Sequence, residues 1–403
     1  MKKALNKVKS PVSDHAYLQI ESDLRARIRR GEWKQGVMLP GRRQLAEEYG
    51  VAVNTLQRAI LVLLDEGVLT SHGGRGTFVA DDVIFASEGD FAGVKIGVLY
   101  VSESVLEDEN DEQNWVTRII DIMNDTARLS NAEIVRINIG TPGESNHISI
   151  KDGLAKLIEN HVNAVCLINI FDRQGIYEEL INAASGIINI PILYVSASDG
   201  ISPIPRLSID NRHLGYQAAE HLIAAGYKEL LFLLPIKDEW ANERYEGAVA
   251  AVRQLGGSKV KLTVYPPNNA KDWEANEFFT MEVRDKIRQR ENEFIIDCVK
   301  SGIFELTGSG EPRGFIAPYD IMAFTIIKQL NEKGKKLGAD YGLVGFDDLE
   351  MAKKESLTSL RPPLEDLGEN ATNLLLKACK GERIPMHLRL YSMLKPRAST
   401  VKG

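Results

Sequence analysis

Seven short apolar runs recur between residues 94 and 346: VKIGVLYV, AEIVRINI, AVCLINI, IPILYVSA, ELLFLLP, GFIAP and GLVGF. Each has the length of a strand and is apolar nearly throughout. That is the pattern of a parallel strand covered on both faces, not of one with a wet face. Helical patterns lie between most of them, in NWVTRIIDIMNDTARLS, DGLAKLIENH, NRHLGYQAAEHLIAAG and DIMAFTIIKQLNEKG. Alternation of this kind confines the region to a doubly wound α/β fold. A stretch of more than about 300 residues calls for two lobes in place of one sheet. Ligands of open α/β sheets bind beyond the carboxyl ends of the strands, so two facing lobes make a cleft there.

The first eighty residues follow another rule. DHAYLQIESDLRARIRRG puts apolar side chains at 17, 20, 24 and 28, a helical stripe that Gly31 closes. GRRQLAEEYG reads as a short second helix. NTLQRAILVLLDEG reads as a third, with Leu56, Ala59, Ile60, Leu63 and Leu64 on one face. The β-prone runs VLTS and TFVA flank the glycine-rich HGGRG, a hairpin signal. Helix, helix, turn, helix, hairpin is a winged helix-turn-helix. The net charge of −7 hides an asymmetry: residues 1–80 hold 13 Lys+Arg against 8 Asp+Glu, and the remainder 36 against 48. A basic head on an acidic body suits an anionic polymer at the head and something else at the body.

The stretch LPGRRQLAEEYGVAVNTLQRAILVLLDEGVLTSHGGRGTFV resembles the DNA-binding domain of the GntR family. The resemblance implies DNA contacts from Arg43, Thr55 and the wing residues Gly74, Arg75, Gly76 and Thr77. Arginines usual in the family are replaced by Val53 and Gln57, and a serine by Ala52. Gln57 suits an adenine edge, because an amide can bond N6 and N7 together. Asn54 and Gln57 also form a plausible capping pair for the third helix. Arg42, Arg43, Arg58 and Arg75 are expected on phosphates or in the minor groove, although Arg58 reads equally well as a solvated cation. His72 either enters the minor groove or caps a strand end. The operator is expected to depend less on guanine than is usual for the family.

Farther on, LSIDNRHLGYQAAEHLIAAGYKELLFL, NERYEGAVAAV, GLVGFDDLEMAK and LTSLRPPLEDLGENATNLLL resemble the LacI-type, periplasmic-binding-protein-like effector domain, over about 93–400 and least at 258–312. A GntR head with such a body resembles bacterial regulators of the arabinose-repressor type. By that resemblance the chain is a cytoplasmic repressor without a cofactor, a homodimer on a palindromic operator, answering to a small carbohydrate. Arg244 and Asp347 fall where the family holds sugar hydroxyls. Tyr319 and Asp320 replace a usual Asn-Asp pair. Trp240, Phe171, Ser102 and Glu103 end strand-like runs or open the loops after them, where a ligand would lie. Structural readings stand beside these: Arg244 paired to Glu243 or Glu246, Asp347 capping a turn, Asp210 capping the helix that begins at Asn211.

The domains expected are 1–80, a linker over 81–93, and a body over 94–403. Within the body, lobe 1 takes about 94–206 and 361–385, and lobe 2 takes 207–360 and 386–403. Cys166, Cys298 and Cys379 are scattered and odd in number, so reduced thiols are expected. No apolar run approaches the roughly 18–20 residues of a membrane span, and no apolar core follows the basic N-terminus as a secretory signal requires. No G-x-S-x-G, G-x-x-x-x-G-K-[ST] or H-E-x-x-H motif occurs. An enzyme, or a cytoplasmic sugar-binding protein, carrying a DNA-binding head is the alternative reading.

Overall fold

The computed structural model describes residues 17–401 apart from 18, 19, 22, 26, 29, 30, 66, 67, 73–75, 81–90, 101–114, 141–146, 170–178, 180, 181, 184–189, 199–201, 235–238, 266–280 and 309. Of residues 65, 72, 281–288 and 291 it describes the backbone alone. The chain divides into two units, Met1–Gly89 and Asp90–Gly403.

In the first unit the expected helical stripe is buried at Ile20, Leu24 and Ile28. The helices Arg42–Glu48 and Val53–Asp65 bury Leu45 and Ala46, and Leu56, Ala59, Ile60 and Leu63, against it. Strands β1 (Leu69–His72) and β2 (Gly76–Val79) form the antiparallel wing. A polar clamp ties the first helical segment to the second. The buried Tyr49 hydroxyl donates to Asp23 at 2.6 Å and accepts from Arg27 at 3.0 Å. Arg27 also reaches Glu32 at 2.6 Å and Glu48 at 2.8 Å, its guanidinium 4.2 Å from the Trp33 ring.

The third helix begins one residue earlier than the capping pair requires. The Ala52 carbonyl already accepts from Leu56 N–H, so Ala52 holds the cap position and Asn54 lies inside the first turn. Asn54 is therefore exposed on the helix and does not cap it.

The second unit carries β3 (Lys95–Tyr100), β4 (Glu133–Asn138), β5 (Ala164–Asn169), β6 (Ile192–Ser196), β7 (Arg206–Ile209), β8 (Glu229–Leu233), β9 (Lys261–Tyr265), β10 (Arg313–Ile316), β11 (Tyr341–Phe346), β12 (Thr358–Arg361), β13 (His387–Leu390) and β14 (Met393–Lys395). They form two six-stranded sheets. One is all parallel in the order β13-β7-β6-β5-β3-β4. The other runs β14-β12-β11-β10-β8-β9, parallel except at β14. All six residues of β5 and of β11 are buried, as strands covered by helices on both faces must be.

Sheet membership differs from the expected lobe boundaries at two places. Leu207–Ile209 and His387–Leu390 pair in parallel within the first sheet, so both belong to lobe 1. The run HLRL is short and mixed in polarity, and only its edge position beside β7 makes it a strand. The chain thus crosses between lobes near 210, at 362–363 and at 391–392. Phe91, counted with the linker in sequence, is buried in the lobe 1 core.

Helices Asn211–Ala224 and Glu239–Ala251 of lobe 2 cross without side chains between them. A Cβ on Gly215 would stand 1.7 Å from the Arg244 carbonyl oxygen, and one on Gly247 would stand 1.8 Å from that of Arg212. Neither backbone can yield without parting the helices. Gly215→Ala or Gly247→Ala is expected to cost more than about 3 kcal/mol or to prevent folding of the body. Gly381→Ala, strained only by its φ of +78° with open space around it, should cost about 1 kcal/mol. Urea unfolding of the three variants measures the contrast.

Candidate functional site

Beyond the carboxyl ends of β10 and β11, lobe 2 brings Arg244, Asp320 and Asp347 together. Arg244, on the Glu239–Ala251 helix, is only 5% exposed. Its Nε donates to Asn211 Oδ1 at 3.0 Å and its Nη1 to the Pro318 carbonyl at 2.6 Å. The guanidinium lies between two rings, 4.7 Å from the Trp240 centroid and 4.4 Å from that of Phe346. Glu243 and Glu246 are near Arg212 instead, at 3.8 and 2.8 Å. Burial draws the Arg244 pKa down to about 10, against the pull of Asp347, Glu243 and Asp320, so the group stays charged at neutral pH.

Asp320 opens the Asp320–Asn331 helix and is fully buried. Its carboxylate accepts from Ser359 Oγ at 2.7 Å and from the Leu349 N–H at 3.0 Å. Asp347 is half-buried and accepts from the Asp320 backbone N–H. Burial raises the pKa of both carboxyls well above the usual range; for Asp320 the negative charge of Asp347 adds to it, and for Asp347 Arg244 opposes it. Tyr319 is half-buried at the head of the same helix.

The loop that carries Asp347 is strained. Asp347 has φ +113° and Asp348 φ +53°, a left-handed pair without a glycine. Its supports are ion pairs that sequence reasoning missed. Asp348 is paired with Arg361 at 2.8 Å and with Arg397, and its N–H donates to Ser359 Oγ at 3.0 Å. Of the adjacent aspartates, Asp348 fixes the turn and Asp347 is left facing the Arg244 side. Asn211 was missed also. It joins Arg244 to lobe 1, since its Nδ2 donates to the Ala197 carbonyl, just past β6, at 2.6 Å. The signal available was its place directly after the crossing. Asp210 caps the Asn211–Ala224 helix through a 2.8 Å bond from His213 N–H, as expected. Ser102, Glu103 and Phe171 lie outside the described residues.

In the first unit, Arg42 and Arg43 are exposed on the opening turn of their helix, and Thr55 and Gln57 are half-buried. The Arg58 guanidinium lies 4.2 Å from the centre of the Tyr17 ring. Thr77 is 8% exposed, and its carbonyl accepts from Leu39 N–H. It is a buried strand residue and not the surface contact expected from the motif, because β2 turns alternate residues inward. Gly76 has φ +126° opposite His72, and a Cβ there would meet Met38 Sδ at 2.9 Å. Gly74 and Arg75 lie outside the described residues, as does the His72 side chain. No helix among the described residues is long and apolar enough to cross a membrane.

Comparison with known proteins matches the same two units. Residues 16–79 match the model of bacterial regulatory proteins of the gntR family, and residues 219–400 match that of the periplasmic binding protein-like domain. The chain is 20% identical over 363 residues to the arabinose metabolism transcriptional repressor of Geobacillus stearothermophilus, covering 90% of each. It is 24% identical over 190 residues to the HTH-type transcriptional repressor CytR of Escherichia coli strain K12, covering 46% of this chain and 49% of CytR. The lac repressor dimer bound to operator and the anti-inducer ONPF superposes with a TM-score of 0.56 at 19% identity, over 76% of this chain and 94% of that one. The chain thus carries a GntR-type winged helix and a LacI-like two-lobed α/β body.

The carboxyl pair predicts the pH response. Because the folded state holds protons on these groups that the unfolded chain has already released, stability is fullest near the ordinary carboxylate pKa and falls as pH rises toward neutrality. The denaturation midpoint of the ligand-free body should therefore be higher at pH 5.5 than at pH 8. Asp347→Asn, which removes one of the two charges, should flatten the slope.

Proposed function

We propose that this chain, a GntR-type DNA-binding head joined to a LacI-like body, is a transcriptional repressor whose hold on operator DNA is set by a small polyol of sugar class. One observation carries the reading: a buried guanidinium and two carboxylates meet beyond the carboxyl ends of β10 and β11. Fixed N–H donors beside carboxylate acceptors suit a hydroxyl, which both donates and accepts. Trp240 and Tyr319 add aromatic faces fit to cover a sugar ring. Turnover is not part of the reading; the relatives named are regulators.

A ligand that donates hydroxyls to Asp347 favours its ionised form, so binding should release a proton at neutral pH. Binding also acts on the Arg244–Asn211–Ala197 chain of hydrogen bonds that spans the lobes. The ligand need only prefer one lobe arrangement, by a coupling of about 1–3 kcal/mol, which operator DNA must return equally upon ligand affinity. Two heads on two half-sites imply a homodimer acting in the cytoplasm on a palindromic operator.

Fluorescence anisotropy with an operator duplex, titrated with a panel of pentoses and hexoses, tests this. At least one sugar should shift operator affinity by about 5- to 150-fold, and a panel without effect refutes the allosteric reading. Asp347→Asn should keep operator affinity and abolish the response. Arg42→Ala and Arg43→Ala should each weaken binding to all duplexes alike and lower the slope of log K against log salt by about 1 per head.

A further inference from the structure

The outward face of the Val53–Asp65 helix holds a residue to which no role has been given. Leu56, Ala59, Ile60 and Leu63 bury the opposite face. Outward stand Val53, 43% exposed, with Asn54 and Arg58 exposed, Gln57 half-buried, and Leu61 52% exposed. The only charged residues of the helix are Arg58 and Asp65, and the Arg58 guanidinium is stacked on Tyr17. The N-terminal end of the helix thus carries a branched hydrocarbon, the half-buried Thr55 and two amides.

We infer that Val53 is a specificity-determining residue that reads thymine through its C5 methyl group, within a half-site of A·T pairs. This rests on the DNA-binding reading above. A recognition helix meets base edges with its N-terminal residues, and Val53 is the first residue of this one. In the major groove guanine offers two acceptors, N7 and O6, and cytosine an amino donor, whereas thymine alone offers a methyl group. A valine against guanine or cytosine strips water from a polar edge and bonds nothing in return. Against thymine it buries hydrocarbon on hydrocarbon. The preference is therefore two-sided, favouring thymine and penalising G·C at one base pair. Asn54 and Gln57 each match adenine's paired acceptor and donor. Neither supplies the planar fork of donors with which arginine grips guanine.

The test uses the full-length protein. Duplexes selected from a random library should converge on A·T-rich half-sites. Each thymine of the selected site is then replaced by deoxyuridine, which removes the methyl group and keeps the pairing. One position per half-site should lose affinity by about fourfold, the ~0.8 kcal/mol of one buried methyl group. Val53→Ala should lose a similar amount on the thymine duplex and be indifferent to deoxyuridine there; the site is exposed, so the fold is not at risk. Val53→Arg should move selection toward guanine at that pair. G-rich selected sites, or deoxyuridine without effect at every position, overturn the inference and leave the DNA-binding reading standing. Failure to enrich any duplex overturns both.

Discussion

A guanidinium that is 5% exposed stays charged in a protein interior only if its surroundings replace the water it has lost. For Arg244 the replacement is unusually distributed. An amide oxygen and a main-chain carbonyl take two of its N–H groups, two aromatic faces cover its plane, and the charges of Asp347, Glu243 and Asp320 stand near. Each of these partners comes from a different part of the body. Asn211 follows a crossing between lobes, Pro318 follows β10, Phe346 ends β11, and Trp240 lies one turn before the arginine on its own helix. The guanidinium therefore holds these elements in register, and any ligand that takes over its bonding alters what binds them together. A well-packed apolar core could be as stable at this point. What a buried charge would add is sensitivity to a ligand able to bond it.

The same economy explains the loop after β11. A left-handed residue other than glycine costs on the order of 1–3 kcal/mol, and here two follow one another. Arg361 from β12 and Arg397 near the C-terminal end both spend their charge on Asp348, while Ser359 serves Asp320 and the Asp348 amide together. Two arginines from separate elements hold the Asp348 carboxylate still beside Asp347. The cost is visible in Asp320 and Asp347: burial keeps protons on both beyond the usual carboxylate range, and for Asp320 the charge of Asp347 adds to it.

What could be read in the chain beforehand follows from how local each cause is. Strand runs such as AVCLIN carry their own reason for burial, and so does the stripe at Ile20, Leu24 and Ile28. Asp210 as a cap needed only its neighbour's N–H. The misses depend on contacts remote in sequence. HLRL is a strand only because β7 lies beside it. Thr77 is inward only because of the pleat relative to Leu39 and the helices. Asn54 lost the cap to Ala52, because a backbone carbonyl alone was enough to start the helix. Arg244 and Asp347 stand out by family resemblance, but of the partners the structure gives them Phe346 and Asp348 do not, since nothing in their spacing announces that β6, β11 and β12 converge there, and Asn211 is marked only by its place after the crossing.

The two recognition sites proposed for this chain would work by opposite electrostatics. In the body, charge is buried where water is scarce, and the small hydroxylated ligand proposed there would exchange for strong bonds and gain specificity from them. In the head, the cations at Arg42 and Arg43 stay in water, where they attract any phosphate and discriminate none. On the inference drawn above, discrimination would then fall to the outward face of the Val53–Asp65 helix, whose first turn is uncharged. Uncharged contacts are worth about 1 kcal/mol apiece, so the difference between operator and other DNA is built from small terms. A repressor so built does not need a large push from its ligand: a coupling of about 1–3 kcal/mol is commensurate with the contacts it must overrule.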